Sequence, residues 1–401
     1  MHPLRTRARR TLAGLAAVAT VASTLILSSA IPARAETRPI RFPVAGGASW
    51  TDTFGAPRSG GRTHAGQDLF APKMRRVVAT TDATVVRMGR RATLSGNYVV
   101  LRDAEGWEYV YVHLNNDTPG TDDGADRELE AFYPGLRVGQ RVWAGQELGY
   151  LGDSGNAETT PPHLHFEIRD PSGVSINPAD SLRAASHQAI DPYFVAAHSP
   201  TGNVDGLSLA PGGGRLTGWA YDPDTTAPID VAFYARKDHV GDLPADRWRP
   251  DLAGALGFYG GQHAYDGSVP LPLGRSDVCA FALNDDRGYA TYLRCASIDV
   301  PAGPFGSVDA VERVAGGIRV SGWVIDADTA ESTQVYVSDG RSAIYAPASE
   351  PRWDVWQAYP GFGAAHGFST VLPVGPEPTY FCITAVNIGR GGSSHLRCAV
   401  A

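Results

Sequence analysis

Short apolar runs bounded by glycine, proline and asparagine recur along most of the chain, and they predict strands rather than helices. Between residues 37 and 185, a helix is expected only over Asp180–Ala185. Residues 186–203 show little periodicity and predict a linker. The predicted strands of the N-terminal domain are Arg76–Val86, Tyr98–Arg102, Trp107–Leu114, Glu147–Leu151 and His163–Arg169. The pattern therefore predicts an all-β fold.

The C-terminal half carries the same pattern twice. The segment Gly218–Asp224 (GWAYDPD) recurs 104 residues later as Gly322–Asp328 (GWVIDAD). One histidine and two cysteines recur 103 residues later, as the pairs His263 and His366, Cys279 and Cys382, and Cys295 and Cys398. Constant offsets indicate repeated units. Units of about 95 residues suit small β-sandwiches, which we place at residues 204–300 and 305–401.

The four cysteines form two pairs with the same spacing of 16 residues. In each unit one cysteine lies in a predicted core strand, Val278–Ala282 or Phe381–Val386, and the other lies in the next strand. An even number of cysteines in an exported chain favours disulfides, and the absence of C-x-x-C argues against a cysteine metal site. We therefore predict one disulfide in each sandwich, joining the two strands of a hairpin.

The N-terminus resembles a secretory signal. A positive start, Arg5–Arg10, precedes an apolar stretch at 11–30 and the cleavage pattern Ala33–Ala35. The alternatives are an uncleaved membrane anchor and, because of Arg9 and Arg10, a twin-arginine signal. We expect residues 1–35 to be removed and the protein to be secreted, at or near a cell wall.

Charge and hydropathy exclude some classes of partner. Removing residues 1–35 takes away five arginines and no acid, so the formal net charge changes from −7 to −12. The remaining chain has no basic tract of the kind that binds nucleic acid. It also has no second apolar run long enough to span a bilayer.

Three segments of the N-terminal domain contain candidate chemistry: His64–Asp68 (H-x-x-x-D), Tyr109–Leu114 and His163–Ile168. Because side chains alternate along a strand, His163 and His165 should share one face, opposite Leu164. Paired imidazoles are poor core residues, since each needs a polar partner. They suit a metal or proton-transfer site, and the alternative is an exposed pair on the surface.

The other two segments are ambiguous when taken singly. His113 should share a strand face with Tyr109 and Tyr111 and is most simply a strand-end histidine, whereas His64 and Asp68 could close a turn. However, all four histidines of residues 37–182 lie in these three segments. A catalytic Zn²⁺ takes three nitrogen or oxygen ligands and leaves a fourth position for water. Two histidines and an aspartate meet that requirement.

The order of these motifs resembles one known family. H-x-x-x-D, a strand ending in Y-x-H, and then G-x-S-G and P-H-L-H-F-E are typical of the lysostaphin-type (LytM-like) zinc endopeptidases. Flanking segments also match that family's pattern, namely Asp68–Ala79, Gly96–Leu101, Val138–Gln146 and Gly152–Gly155. The resemblance covers nearly all of residues 45–180.

The resemblance implies a duplicated-hybrid-motif-like β domain at residues 37–185. Its zinc ligands would be His64, Asp68 and His165, a choice over His163 that strand alternation alone does not make. His113 and His163 would be the catalytic pair. Glu167, on the same face as His165, would either orient an imidazole or be a solvated strand-end acid.

These roles imply hydrolysis of peptide bonds in peptidoglycan stem peptides or cross-links by a zinc-activated water. The alternative function is a non-catalytic, wall-binding regulator of other peptidoglycan hydrolases. One departure from the family pattern is the stretch that directly precedes the third segment, Ala157–Pro162. Another is a long acidic loop at residues 115–135, which could shape or cover a substrate groove.

The two C-terminal units resemble a repeat found at the C-terminus of secreted actinobacterial proteins, which suggests either attachment to a surface or a spacer. Trp219 and Trp323 are expected in the core, with a sugar-binding platform as the alternative. His263 and His366 are expected to be structural. The D-x-D pairs Asp222 and Asp224, and Asp326 and Asp328, offer oxygen atoms for Ca²⁺, but the rest of a ligand set is missing.

Overall fold

A computed structural model describes residues 37–188 and 190–401, and it confirms the predicted all-β architecture. The predicted signal segment, residues 1–35, lies outside the described residues. Among the described residues, no helix is long and apolar enough to cross a membrane.

The N-terminal domain is built on an antiparallel sheet whose strands run in the order β1-β8-β5-β4-β3-β6, with β9 paired to β8. A second, two-stranded sheet pairs β2 with β7. The strands are β1 (Gln67–Phe70), β2 (Arg76–Val78), β3 (Ala83–Ala92), β4 (Gly96–Arg102), β5 (Glu108–Leu114), β6 (Arg141–Val142), β7 (Glu147–Tyr150), β8 (His163–Arg169) and β9 (Ser175–Ile176). Two short helices are α1 (Glu128–Ala131) and α2 (Ala179–Ala184).

The alternation of side chains along β8 separates a core face from a polar face. Leu164, Phe166 and Ile168 are fully buried in the core of the domain, together with residues of β2 and β7 such as Val77 and Leu148. Because successive side chains point to opposite sides, the histidines of β8 lie on the other face, as predicted. The apolar residues of this strand therefore fix the direction of its polar ones.

Two differences from the sequence prediction concern segment boundaries. The run predicted as one strand over Arg76–Val86 is divided into β2 and β3, which belong to different sheets. The predicted linker at 186–203 contains helix α3 (Pro192–His198), whose N-terminus is capped by the Asp191 carboxylate. Helices of four to seven residues, such as α1 and α3, are too short to show a clear period in the sequence.

The first C-terminal sandwich joins two four-stranded antiparallel sheets, ordered β10-β11-β15-β14 and β13-β12-β16-β17. Its strands and helix are β10 (Thr201–Ala210), β11 (Gly213–Tyr221), β12 (Asp230–Ala235), β13 (Asp238–Pro244), β14 (Arg247–Trp248), α4 (Pro250–Ala255), β15 (Gln262–Pro270), β16 (Gly274–Ala282) and β17 (Thr291–Val300). The buried residues of both sheets, among them Leu216, Phe233 and Tyr265, form one core.

The second sandwich has the corresponding strand order, β18-β19-β23-β22 and β21-β20-β24-β25. Its elements are β18 (Phe305–Val314), β19 (Gly317–Ile325), β20 (Gln334–Ser338), β21 (Ala343–Pro347), β22 (Glu350–Pro351), α5 (Trp353–Ala358), β23 (Ala365–Pro373), β24 (Tyr380–Ala385) and β25 (Ser394–Val400). Single 3-10 turns lie at Ser59–Gly61, Gly155–Ala157, Gly257–Tyr259 and Pro360–Phe362.

Both predicted disulfides are confirmed. Cys279 lies directly opposite Cys295 in the β16–β17 pair, and Cys382 lies opposite Cys398 in the β24–β25 pair. Each disulfide therefore joins neighbouring strands of a hairpin at the edge of its sandwich.

Candidate metal centre and catalytic cleft

His64, Asp68 and His165 converge at the edge of the large sheet. Asp68 lies in β1 directly opposite His165 in β8, so the register of this antiparallel pair brings the two side chains together. His64 comes from the irregular segment just before β1. His64 Nε2 lies 3.1 Å from Asp68 Oδ1 and 3.0 Å from His165 Nδ1, and His165 Nδ1 lies 3.0 Å from Asp68 Oδ1. Three possible ligand atoms thus form a nearly equilateral triangle.

Hydrogen bonds on the far side of each imidazole fix its tautomer. His64 Nδ1 lies 3.0 Å from the Thr53 carbonyl oxygen, which can only accept, so Nδ1 carries the proton. His165 Nε2 lies 2.9 Å from Glu167 Oε1 and donates to that carboxylate, whose other oxygen is held by Arg169 at 2.6 Å. The unprotonated nitrogen of each ring therefore faces Asp68. Three acceptor atoms in such close contact suit a divalent cation.

Glu167 thus orients an imidazole, which was one of the two readings that the sequence left open. The pKa of Glu167 lies below its ordinary value because, although burial opposes the shift, hydrogen bonding to His165 and the nearby charge of Arg169 favour the carboxylate. Burial likewise opposes ionisation of Asp68, yet its close contacts with the imidazoles of His165 and His64 hold its pKa well below the ordinary range. Both acids are therefore carboxylates at neutral pH.

Two further residues shape this corner of the site. Arg58 donates a 2.5 Å hydrogen bond to Asp68 Oδ2, which leaves Oδ1 for the triangle. A Cβ atom at Gly66 would lie 2.2 Å from the Phe166 carbonyl oxygen, so only glycine lets the His64–Asp68 segment approach β8 this closely. Sequence reasoning missed Arg58, because nothing in the local pattern links it to Asp68 ten positions later.

The prediction that His113 shares a strand face with Tyr109 and Tyr111 is wrong. His113 has a left-handed backbone, with φ +65°, and the register between β4 and β5 shifts at this point. The bulge moves Leu114 into the core beside Tyr109 and Tyr111 and turns His113 toward the histidines of β8. A β-bulge redirects a side chain in this way because it changes the alternation by one residue.

His113 and His163 lie side by side, with ring centroids 5.1 Å apart. His113 Nδ1 lies 2.7 Å from the Ser154 carbonyl oxygen, and His163 Nδ1 lies 2.8 Å from that of Pro161. Both rings must donate through Nδ1, which leaves Nε2 as the basic nitrogen, and His163 Nε2 lies 3.8 Å from Asp68 Oδ1. Burial, with a smaller contribution from the charge of His163, lowers the pKa of His113 to about 4.

These five residues line a cleft of about 330 Å³. Its other lining residues include two cations and several apolar side chains, namely Arg58, Arg62, Phe70, Leu94, Ala157 and Pro161. No residue of the acidic loop at 115–135 lines this cleft. A larger cavity of about 980 Å³, bounded in part by Phe42, His187 and Tyr289, contains none of the predicted site residues.

The acidic loop is held against its own domain by a lysine. Lys73 Nζ lies 2.6 Å from Asp117, 2.5 Å from Asp122 and 2.8 Å from Asp153. These carboxylates form the second cluster of potential metal ligands in the described part of the chain, and the ammonium group of Lys73 is already in contact with all three of them.

The candidates in the C-terminal sandwiches have structural surroundings. His263 and His366 are fully buried, and the Nε2 atom of each bonds a main-chain carbonyl oxygen. The carboxylates of Asp222 and Asp326 each accept one main-chain N–H from their own loop and one from a later loop, at Asp285 and Ile388 respectively. In the described residues these aspartates belong to no cluster of potential metal ligands.

The two repeated tryptophans are half-buried. Trp219 stacks on Tyr221, with ring centroids 6.4 Å apart and planes 13° from parallel. Trp323 packs edge-on against Phe305 and beside Tyr359. Both indoles therefore pack against aromatic neighbours of their own sandwich, and neither is free on all sides as a platform.

Three known proteins that the chain resembles match 29–36% of its length. The chain is 32% identical over 117 residues to the DD-carboxypeptidase/endopeptidase Mpg of Neisseria meningitidis, a match covering 29% of this chain and 22% of that protein. It is 30% identical over 154 residues to the L-Ala--D-Glu endopeptidase of Bacillus subtilis, covering 36% and 42%. The chain thus spans less than half the length of these curated relatives.

Among solved structures, the catalytic domain of the antimicrobial peptidase lysostaphin from Staphylococcus simulans matches with 26% identity and a TM-score of 0.27, over 34% of this chain and 92% of that one. Residues 62–123 and 128–178 match the family model described as Peptidase family M23. The matched residues include His64, Asp68, His113, His163 and His165. A segment of the N-terminal domain that contains all five predicted site residues is therefore similar to peptidase family M23.

Proposed function

We propose that the chain is a secreted zinc metalloendopeptidase that hydrolyses peptide bonds in the stem peptides or cross-links of peptidoglycan. The observation that carries the proposal is the triangle of His64 Nε2, Asp68 Oδ1 and His165 Nδ1, with sides of 3.0–3.1 Å and both imidazole tautomers fixed. Support for the substrate comes from relatives whose names include peptidoglycan DD-endopeptidase and L-Ala--D-Glu endopeptidase.

In this proposal His64, Asp68 and His165 hold Zn²⁺. Zinc with three protein ligands acts as a Lewis acid and lowers the pKa of a water molecule toward about 7. Thr53 and Glu167 keep the two imidazoles in the tautomers that can bind a metal. The donor set fits zinc in chemistry and number, because two nitrogens and one carboxylate oxygen leave a further position free for water.

His113 and His163 then move the protons. Since each donates through Nδ1 to a main-chain carbonyl, its Nε2 can accept a proton from the attacking water. Once protonated, the same nitrogen can donate a hydrogen bond to the oxyanion that forms on the substrate carbonyl. The sequence contains no H-E-x-x-H, so no helix glutamate is available for this role.

Two observations support action outside the cytoplasm. Residues 1–35 have the sequence pattern of a secretory signal. Both sandwiches carry a disulfide, and disulfides form and persist in oxidising compartments. Peptidoglycan lies on the same side of the membrane as a secreted protein.

The test combines metal analysis with wall digestion. His64→Ala and Asp68→Ala should lose zinc and release no peptide fragments from purified peptidoglycan. His113→Ala should keep zinc and lose hydrolysis. His395→Ala, in the second sandwich, is the matched control and should keep both. Mass spectrometry of the released fragments identifies the bond that is cut.

Two results would contradict the proposal. Hydrolysis by a metal-free Asp68→Ala variant would remove the metal from the reaction. A wild-type protein that binds the wall and releases nothing, with or without a chelator, would favour the alternative of a non-catalytic regulator.

A further inference from the structure

The first C-terminal sandwich packs directly against the acidic loop of the peptidase domain. Leu129 of the loop contacts a small apolar cluster that includes Tyr234 and Leu283. The Tyr234 hydroxyl accepts a 2.8 Å hydrogen bond from the Gly135 main-chain N–H. A Cβ atom at Gly135 would lie 2.2 Å from Leu283, so the two surfaces are in close contact. The sandwich is thus docked on the peptidase domain rather than loosely tethered to it.

A strained turn of the sandwich makes the polar part of this contact. Arg236 and Lys237, between β12 and β13, both have left-handed backbones, with φ +53° and +69°. Such a conformation is unfavourable for residues other than glycine and needs compensation. Lys237 Nζ bonds the buried Glu130 carboxylate at 2.5 Å, and the next residue, Asp238, accepts the Glu128 main-chain N–H at 3.2 Å. The turn is thus shaped to meet helix α1.

Asp238 also contacts a buried charge cluster in the peptidase domain. Its carboxylate lies 3.6 Å from Arg90 Nη1, and Arg90 Nη2 lies 3.0 Å from Asp126. The Asp126 side chain is 0% exposed and is also bonded to Arg91 at 3.1 Å and to Asn97 Nδ2 at 3.1 Å. An aspartate buried this completely depends on all of its partners, because an unpaired charge is costly away from water.

Asn97 connects this cluster to the cleft. Its side chain is fixed by Asp126 and by the Asn115 carbonyl oxygen, and its main-chain N–H donates a 2.8 Å hydrogen bond to Ser154 Oγ. The carbonyl oxygen of Ser154 is the one that accepts from His113 Nδ1 at 2.7 Å. An unbroken series of polar contacts therefore runs from Asp238 of the sandwich to the ring of His113.

We propose that the first C-terminal sandwich positions His113 for catalysis, through Asp238, Arg90 and the buried Asp126. The inference rests on the proposed function, since it assigns the sandwich a part in the same reaction. Asp126 and Asp238 are positioning residues, because neither lines the cleft. The sandwich acts by fixing Asn97 and Ser154, which together set the direction of the His113 ring.

A double-mutant cycle on the full-length, zinc-loaded protein tests the coupling. Asp238→Ala should lower kcat by about threefold, as expected for a partly exposed ion pair, with KM and zinc content unchanged. Ser154→Ala removes the hydroxyl that accepts the hydrogen bond from the Asn97 main-chain N–H, and it keeps the carbonyl oxygen that accepts from His113. In that background Asp238→Ala should have no further effect. Residues this far apart normally give additive effects, so non-additivity identifies the connection.

The matched control is Asp230→Ala. Asp230 belongs to the same sandwich and bonds an arginine of the peptidase domain, Arg137, at 3.3 Å, but it has no contact with Asp126. The Asp230→Ala variant should keep kcat within about twofold of wild type. Its effect on the activation free energy should add to that of Ser154→Ala. If Asp238→Ala lowered kcat by the same factor with and without Ser154→Ala, the two residues would act independently and the proposal would be overturned.

A second readout is independent of turnover. The Nδ1–H resonance of His113, hydrogen-bonded to Ser154, can be followed by NMR in the folded protein. Asp238→Ala and the milder Asp126→Asn should shift it, and Asp230→Ala should not. An unchanged resonance in both variants refutes the positioning role. If the wild-type protein hydrolyses nothing, the proposed function fails, while this resonance still decides whether the sandwich positions the ring.

Discussion

Gly96 offers a sharp test of how the site is held. It lies at the start of β4 with φ +60°, beside the segment that carries Ser154. A Cβ atom there would lie 2.1 Å from Ser154 Oγ and 2.4 Å from the Ser154 main-chain carbon. Ordinary contacts between carbon atoms are about 3.5–4.0 Å, so Gly96→Ala must displace Ser154 by roughly 1 Å.

Two energetic costs determine how much Gly96→Ala destabilises the protein. A left-handed backbone with a Cβ costs about 1–2 kcal/mol, and forced repacking of a buried segment costs about 1–3 kcal/mol. The free energy of unfolding should therefore fall by about 2–5 kcal/mol. Because the Ser154 carbonyl holds His113 at 2.7 Å, kcat should also fall, by roughly a hundredfold for a displacement of this size.

Gly124→Ala is the matched control. Gly124 has the same φ, +60°, but a Cβ atom there would meet nothing within 4 Å. The Gly124→Ala variant should lose only the cost of the left-handed backbone, about 1–2 kcal/mol of unfolding free energy, and should keep its kcat. Urea denaturation gives the stabilities, and peptidoglycan hydrolysis at equal zinc content gives kcat. If Gly96→Ala matched Gly124→Ala in both measurements, the close approach to Ser154 would not be what positions His113.

Three further predictions concern the proposed zinc site and the first sandwich. Glu167→Gln should weaken zinc binding by roughly 10- to 100-fold in a chelator competition, because a neutral amide holds the His165 tautomer less firmly. Burial raises the pKa of Asp222 to about 6, above its ordinary value of 3.8, so the folded state binds the proton more tightly than the unfolded state. The resulting stabilisation is complete below about pH 4 and is lost as the pH rises through 6, and Asp222→Asn should remove this loss of about 3 kcal/mol from urea titrations. Replacing Cys279 and Cys295 with alanine should lower the free energy of unfolding by about 3 kcal/mol, since the disulfide closes a loop of 16 residues.

Each of these predictions has its own control. Glu108→Gln changes another buried carboxylate of the same sheet, paired with Arg87 and Arg102, and should leave zinc affinity unchanged. Asp326→Asn, at the corresponding loop of the second sandwich, should keep the pH dependence that arises from Asp222. A reduced wild-type protein with the urea midpoint of the oxidised one would contradict the disulfide prediction.

Local patterns were sufficient for much of the fold. Alternation along His163–Arg169 separated the core residues from the histidines, because side chains of a strand point to opposite sides whatever the rest of the protein does. The two disulfides followed from equal spacing in equivalent strands. Alternation failed at His113, where a bulge and a left-handed backbone reverse the face. The bulge is defined by the register of β5 against β4, which the local pattern around His113 does not contain.

The sequence by itself determined which residue types are available for metal and proton chemistry. It also determined the order of the motifs, on which the family resemblance rests. Only the tertiary structure decided how those groups meet. The register of β1 against β8 sets Asp68 opposite His165, and the same packing brings Arg58 to Asp68. The tertiary structure also places the acidic loop against the first sandwich, where it does not line the cleft. These outcomes depend on residues far apart in the chain, and their contact energies exist only once the strands have paired.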